Sequence, residues 1–173
     1  MATRSNRPTT TRRAEQGFTL IELLVVAFVV LLVTSMGLPS LADWRARQKV
    51  AGAAEALAAD LQKARWAAVQ RGATMYVTFG HGAAACYAIA TRPDCPCDGS
   101  GAACSLKTVS AGSGLLLQAP RASLAFEPRH GATSPGEVAT FSAGRYAASL
   151  HAEAVGRATV CASGAPMLGV DAC

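Results

Sequence analysis

The chain has little of what catalysis needs. Its three histidines, His81, His130 and His151, share no spacing with carboxylates or a nucleophile. No phosphate-cradling glycine loop, no H-E-x-x-H and no G-x-S-x-G pattern is present. An enzyme is therefore not expected, and neither a cofactor nor a metal is called for. Charge is also scarce where it would matter most. From Phe18 to Leu38 the sole charged residue is Glu22.

The overall charge of +5 points toward acidic partners until its placement is examined. Residues 1–17 hold Arg4, Arg7, Arg12 and Arg13 against Glu15 alone. From Ala73 onward six basic residues face six acidic ones, so that part of the chain is neutral. Global charge gives no argument for nucleic-acid binding.

What is present organises the chain. At 1.5 Å per residue, a helix over residues 18–38 spans roughly 31 Å, about one hydrocarbon core. The arginine-rich flank before Phe18 places that side in the cytoplasm and sends the remainder outward. A secretory signal would be shorter, with small residues after its apolar core. Here the small residue, Gly17, comes before it. An unpaired carboxylate at Glu22 is costly in an apolar span, so it is read as a group awaiting a partner.

All six cysteines, Cys86, Cys95, Cys97, Cys104, Cys161 and Cys173, follow the span. An even count on the outward, oxidising side reads as disulfides. A four-thiolate zinc site at Cys86, Cys95, Cys97 and Cys104 fits poorly, because structural zinc sites use C-x2–4-C pairs and Cys95-Pro96-Cys97 has one intervening residue. Cys95 and Cys97 are poorly placed to bond each other, so two bridges to Cys86 and Cys104 are expected, their connectivity open. Cys161 and Cys173 are expected to close a C-terminal loop.

Gly37 and Pro39 predict a kink after the span. Beyond it, Leu41, Trp44, Ala54, Leu57, Leu61, Ala64 and Ala68 recur at helical spacing, and the charged residues fall largely elsewhere on the wheel. Gly72 is a C-cap stop, so one helix or two collinear segments should run from about Phe18 to Arg71. Past Gly72 the pattern becomes that of strands. Met75–Phe79 alternates as a half-buried strand, and Cys86–Thr91 repeats that character. Shorter candidates are 106–109, 115–118, 124–126, 139–141, 149–151 and 157–161. The expected fold is α+β: a long N-terminal helix packed through its C-terminal half on a small antiparallel β head.

Gly17-Phe18-Thr19-Leu20-Ile21-Glu22 resembles the processing motif of type IV pilins and type II secretion pseudopilins. Leu61, Ala64, Arg65, Ala68, Arg71-Gly72, the turn Phe126–Gly131 and Gly156-Arg157 are similar to the GspH/FimT branch of that family. The resemblance implies a pilin-like fold with a cytoplasmic leader (1–17), a transmembrane half-helix (18–38), an amphipathic periplasmic half-helix (39–71) and a β-rich head (72–173). It also implies cleavage by a prepilin peptidase between Gly17 and Phe18, N-methylation of Phe18, and an assembly role for Glu22 against a neighbouring subunit's terminal amine. The implied partners are major and minor pseudopilins, the peptidase, the inner membrane and its assembly platform. The implied role is that of a minor pseudopilin, single-pass in the inner membrane with its head in the periplasm, assembled into a pseudopilus or type IV pilus for protein secretion or pilus biogenesis.

The alternative is a DNA-binding minor pilin of a natural-transformation pilus. Some members of that branch bind DNA through Gly-Arg-x-Arg near this region. Gly156-Arg157-Ala158-Thr159 keeps one arginine, so a DNA contact at Arg157 lacks its second guanidinium. A single patch of Arg121, Arg129, Arg145 and Arg157 would favour DNA; scattered arginines would not. The remaining alternative, a lone anchored periplasmic domain, predicts no processing at Gly17.

Overall fold

The structure is a computed structural model that describes residues 18–80, 85–100, 103–167 and 169–173, without the side chains of residues 36–40. The leader, Gly17 and His81 lie outside the described residues. Two compact units part between Ser40 and Leu41.

Helix α1 runs Leu20–Arg71. Thr19 caps it: its Oγ1 accepts from the Glu22 amide at 3.3 Å, and its carbonyl takes the first helical bond from Leu23 at 3.2 Å. Thr19-x-x-Glu22 is thus a capping-box sequence, with the carboxylate beside the positive helix end. In the first unit the large apolar side chains from Phe18 to Val33 are each at least half exposed. A helix apolar all round needs a cover other than its own fold. Among the described residues no helix is long and apolar enough to cross a membrane. Leu20–Ser35 covers about 24 Å, and the expected span runs on into residues whose side chains are not described.

In the second unit α1 ends as its sequence predicts. Gly72 takes φ of 61°, its amide donates to Val69 O at 3.4 Å, and the Ala73 amide reaches Ala68 O at 3.3 Å. These two bonds are a Schellman closure, which needs a residue tolerant of positive φ. The strands that follow are β1 (Met75–Gly80), β2 (Cys86–Ala90), β3 (Ser105–Ser110), β4 (Leu116–Gln118), β5 (Ser123–Phe126), β6 (Gly136–Ala143), β7 (Tyr146–Ala152) and β8 (Ala158–Ala162). They form two antiparallel four-stranded sheets, ordered β3-β2-β1-β5 and β4-β6-β7-β8.

Every expected strand is present, with β6 and β7 longer than the apolar signal suggested. Their extensions are rich in alanine, serine and glycine, and a strand's ladder bonds do not require apolar side chains. Expected alternation fails on β1, where Thr78 is buried along with Val77 and Phe79. Both faces of that strand are covered, and Thr78 Oγ1 sits 3.5 Å from Ala88 O.

One apolar cluster unites the helix with both sheets. Val50, Ala54, Leu57, Leu61, Ala64 and Ala68 enter it from α1, meeting Met75, Val77 and Phe126 of one sheet and Phe141, Tyr146 and Leu150 of the other. Alanine at three of those helical positions lets the sheets approach the helix closely. Each fully buried leucine contributes roughly 2 kcal/mol. Leu41 and Trp44, placed on the buried face by their spacing, are 42% and 56% exposed. Val50 is fully buried instead, so the core begins about two turns later than the sequence pattern indicated.

Candidate functional site

The cysteine-bearing connection joins β2 to β3. Cys86 bonds Cys97 and Cys95 bonds Cys104, with Cα atoms 5.7 and 5.9 Å apart. The two bridges interleave, folding the connection back over β2, and Thr91 ties it further by donating its amide to Cys104 O at 3.0 Å. Cys161 bonds Cys173 across 12 residues. The tail is also held by backbone bonds from Ala162 to Asp171 O and from Cys173 to Ala162 O. His151 lies near the sulfurs of Cys161 and Cys173, but a disulfide offers no thiolate, so the trio is not a metal centre.

Between α1 and strands β2 and β3 lies a buried polar group that hydrophobic patterning did not flag. Asp60 is 1% exposed on α1 and accepts from Lys107 Nζ at 2.6 and 2.8 Å, Lys63 Nζ at 3.1 Å and Tyr87 Oη at 2.9 Å. Burial alone would raise its pKa. Hydrogen bonds from Lys107, Lys63 and Tyr87, with the charge of Lys107, outweigh that and hold it below the ordinary carboxylate value. Burial, the bond to Asp60 and its charge push Tyr87 well above a free tyrosine. The network pins the helix to β2 and β3. With every carboxylate oxygen engaged, it is a structural staple.

The arginines considered for DNA have different surroundings. Arg121 donates to the carbonyls of Ser134 and Pro135 at 3.5 and 3.2 Å. Arg145 pairs with Asp43 and donates to Tyr146 Oη at 3.0 Å. Arg129 lines a groove of about 270 Å³ with Arg65, Trp66, Val69 and His130. Arg157 is exposed in the turn before β8. Its neighbour Gly156, at φ of 78°, packs where a Cβ would strike Gly131 O and the Arg65 side chain. Trp66 is 66% exposed at the groove's edge. Arg129 and Arg145 line different pockets, and Arg121 and Arg145 are engaged by groups of the head itself.

The model of the family described as type II transport protein GspH matches residues 53–164. The chain belongs to the GspH family. The match starts on the buried half of α1 and runs to the end of β8, covering the whole two-sheet core. A second model, the prokaryotic N-terminal methylation motif, matches residues 12–38. No curated protein and no solved structure matches the chain. With both matches on one chain, this GspH-family protein is a minor pseudopilin of the type II secretion and type IV pilus class, with a pilin-like α+β fold. Membership implies a structural role, inner-membrane anchoring with a periplasmic head, processing by a prepilin peptidase and association with other pseudopilins.

Proposed function

We propose that this GspH-family protein is inserted with its N-terminus in the cytoplasm, cut after Gly17 and methylated on Phe18. It then assembles through its apolar half-helix into a short periplasmic filament of a type II secretion machine. Domain limits at 17, 38 and 71 belong to the same proposal, as does contact with the inner-membrane assembly platform. The observation that carries it is the join between two features. An apolar helix with no cover of its own begins at the methylation motif, and it leads into a helix half buried in a GspH head.

Glu22 is the assembly residue in this reading. It stands on the first turn of α1, exposed, with no cation paired to its carboxylate among the described residues. A neighbouring subunit's terminal amine would supply the counter-charge, and in low dielectric that pair outweighs two lone charges. The capping box gives Glu22 a second, local use at the helix start, which Gln could keep in part. The substitutions Glu22→Ala and Glu22→Gln therefore separate the two uses. Both should insert, and both should fail to co-purify with partner pseudopilins from membranes. Assembly of Glu22→Gln at wild-type level would show that the carboxylate serves capping alone. Intact mass of the mature chain should give N-methyl-phenylalanine at Phe18; an uncut Met1 or Ala2 terminus in cells with active peptidase would overturn the processing. Arg121 and Arg145 are engaged within the head and Arg157 lacks a second arginine two residues on, which favours the structural reading over the DNA-receptor alternative.

A further inference from the structure

A second cationic site lies at the start of the head, away from the groove beside Trp66. Tyr146 is 1% exposed, and two guanidinium groups lie over its ring, Arg47 at 5.0 Å and Arg145 at 5.2 Å from the centroid. One carboxylate serves this pair. Asp43 is taken by Arg145 and, at 3.4 Å, by the Tyr146 hydroxyl. Arg47 is left over. Its Nε is shielded from solvent and has no hydrogen-bond partner among the described residues. A buried donor without an acceptor is costly, so the position favours a ligand that supplies an oxygen.

The space beside it suits such a ligand. A pocket of about 500 Å³ is lined by Arg47, Arg145, Tyr146, Ala165, Pro166 and Met167. Arg47 and Arg145 line the same pocket, where guanidinium donors suit phosphate oxygens, and the wall of Ala165, Pro166 and Met167 suits carbon more than charge. Asp43 offsets one of the two cations, so an anionic ligand is favoured over a zwitterion.

Position along the chain names the source of the phosphate. Trp44 follows Leu38 by six residues, and chain length alone keeps it within about 20 Å of the end of the expected span. Leu41 and Trp44 are exposed on the residues leading to Arg47. Exposed tryptophan with arginine just beyond an apolar segment is the composition of a membrane–water interface.

We propose that Arg47 and Arg145 form a site for the headgroup phosphate of an anionic phospholipid in the periplasmic leaflet, positioning the head against the membrane before assembly. This rests on the inner-membrane anchoring proposed above.

The test uses the full chain in lipid nanodiscs, reading hydrogen exchange at Arg47 Nε–H by NMR. Discs of phosphatidylcholine are compared with discs containing phosphatidylglycerol, and with phosphatidylcholine discs given inorganic phosphate. Phosphatidylglycerol should slow Arg47 Nε–H exchange about tenfold, the worth of one charge-assisted bond, and Arg47→Gln or Arg145→Gln should abolish any phosphatidylglycerol effect on Trp44 fluorescence in a Trp66→Phe background. Equal protection in both kinds of disc overturns the proposal, as does inorganic phosphate that matches the phosphatidylglycerol effect. The lipid comparison needs no substitution, so a poorly folded variant does not remove it. Incorporation is scored separately by co-elution. A chain that enters both discs without lipid-dependent protection overturns the lipid site alone, whereas a chain that enters neither overturns the anchor and this site with it.

Discussion

Asp60 and Lys107 are 47 residues apart in sequence, and Lys107 Nζ lies 2.6 Å from Asp60 Oδ2. The carboxylate is buried on α1 and the lysine is 44% exposed on β3. A charge with no access to water is thereby neutralised from the rim of the head. Tyr87, the second residue of β2, completes the link at 2.9 Å, so one helical residue holds two strands.

Removing that carboxylate should loosen the head without abolishing the fold. Asp60→Asn is expected to cost about 2–3 kcal/mol in urea unfolding of the detergent-solubilised chain, because Lys107 and Tyr87 lose a charged acceptor. The sign with pH follows from the direction of each shift. Asp60 is held below its ordinary 3.8, so its contribution is complete above that value and is lost as pH falls through the folded value. Tyr87 is raised above its ordinary 10.0, so its contribution is complete below that and is lost as pH rises through the folded value. Melting followed by near-ultraviolet circular dichroism should decline at both extremes in the wild type. Asp60→Asn should flatten the acid limb; an unchanged acid limb would remove Asp60 from its cause.

The disulfides differ in what they hold. Non-reducing peptide mapping should recover Cys86–Cys97, Cys95–Cys104 and Cys161–Cys173, and any other pairing contradicts the fold of the β2–β3 connection. Replacing Cys86 and Cys97 together with serine should cost about 3 kcal/mol, the loop-closure term for a separation of 11 residues. Replacing Cys161 and Cys173 should raise exchange of the amides near the C-terminus more than it lowers global stability, because β8 keeps its ladder to β7.

Gly156 makes a sharper prediction than Gly72. Both have positive φ, but a Cβ at Gly72 meets open space and one at Gly156 meets Gly131 O and Arg65. Gly72→Ala should cost about 1 kcal/mol from backbone strain alone. Gly156→Ala should cost more, about 2–3 kcal/mol, and should shift the NMR signals of Arg65. Equal costs would mean that the two turns do not pack as described.

The start of the head core can be tested by two truncations. Leu61→Ala removes a side chain that is 1% exposed and should cost about 3 kcal/mol. Trp44→Ala removes a larger side chain from solvent and should change stability by no more than about 0.5 kcal/mol. A cost at Trp44 comparable to that at Leu61 would restore Trp44 to the buried face on which its spacing placed it.

The sequence by itself determined the features written within a few residues of one another. The motif Gly17–Glu22 was legible through its resemblance to the pilin processing site, while the end of the helix at Gly72 and the existence of each strand follow from local chemistry: a residue tolerant of positive φ and alternating apolar positions. The oxidised cysteines were legible from their number and their side of the span. Tertiary structure decided the rest. It sorted Cys86, Cys95, Cys97 and Cys104 into one of their allowed pairings and divided the strands into two sheets. It left Trp44 exposed while Val50 went under, and it buried Asp60 beneath Lys107. Each of those outcomes depends on which distant residues arrive beside one another. A helical period shows that a face is apolar, but only the covering sheets set how far along the helix that face is buried.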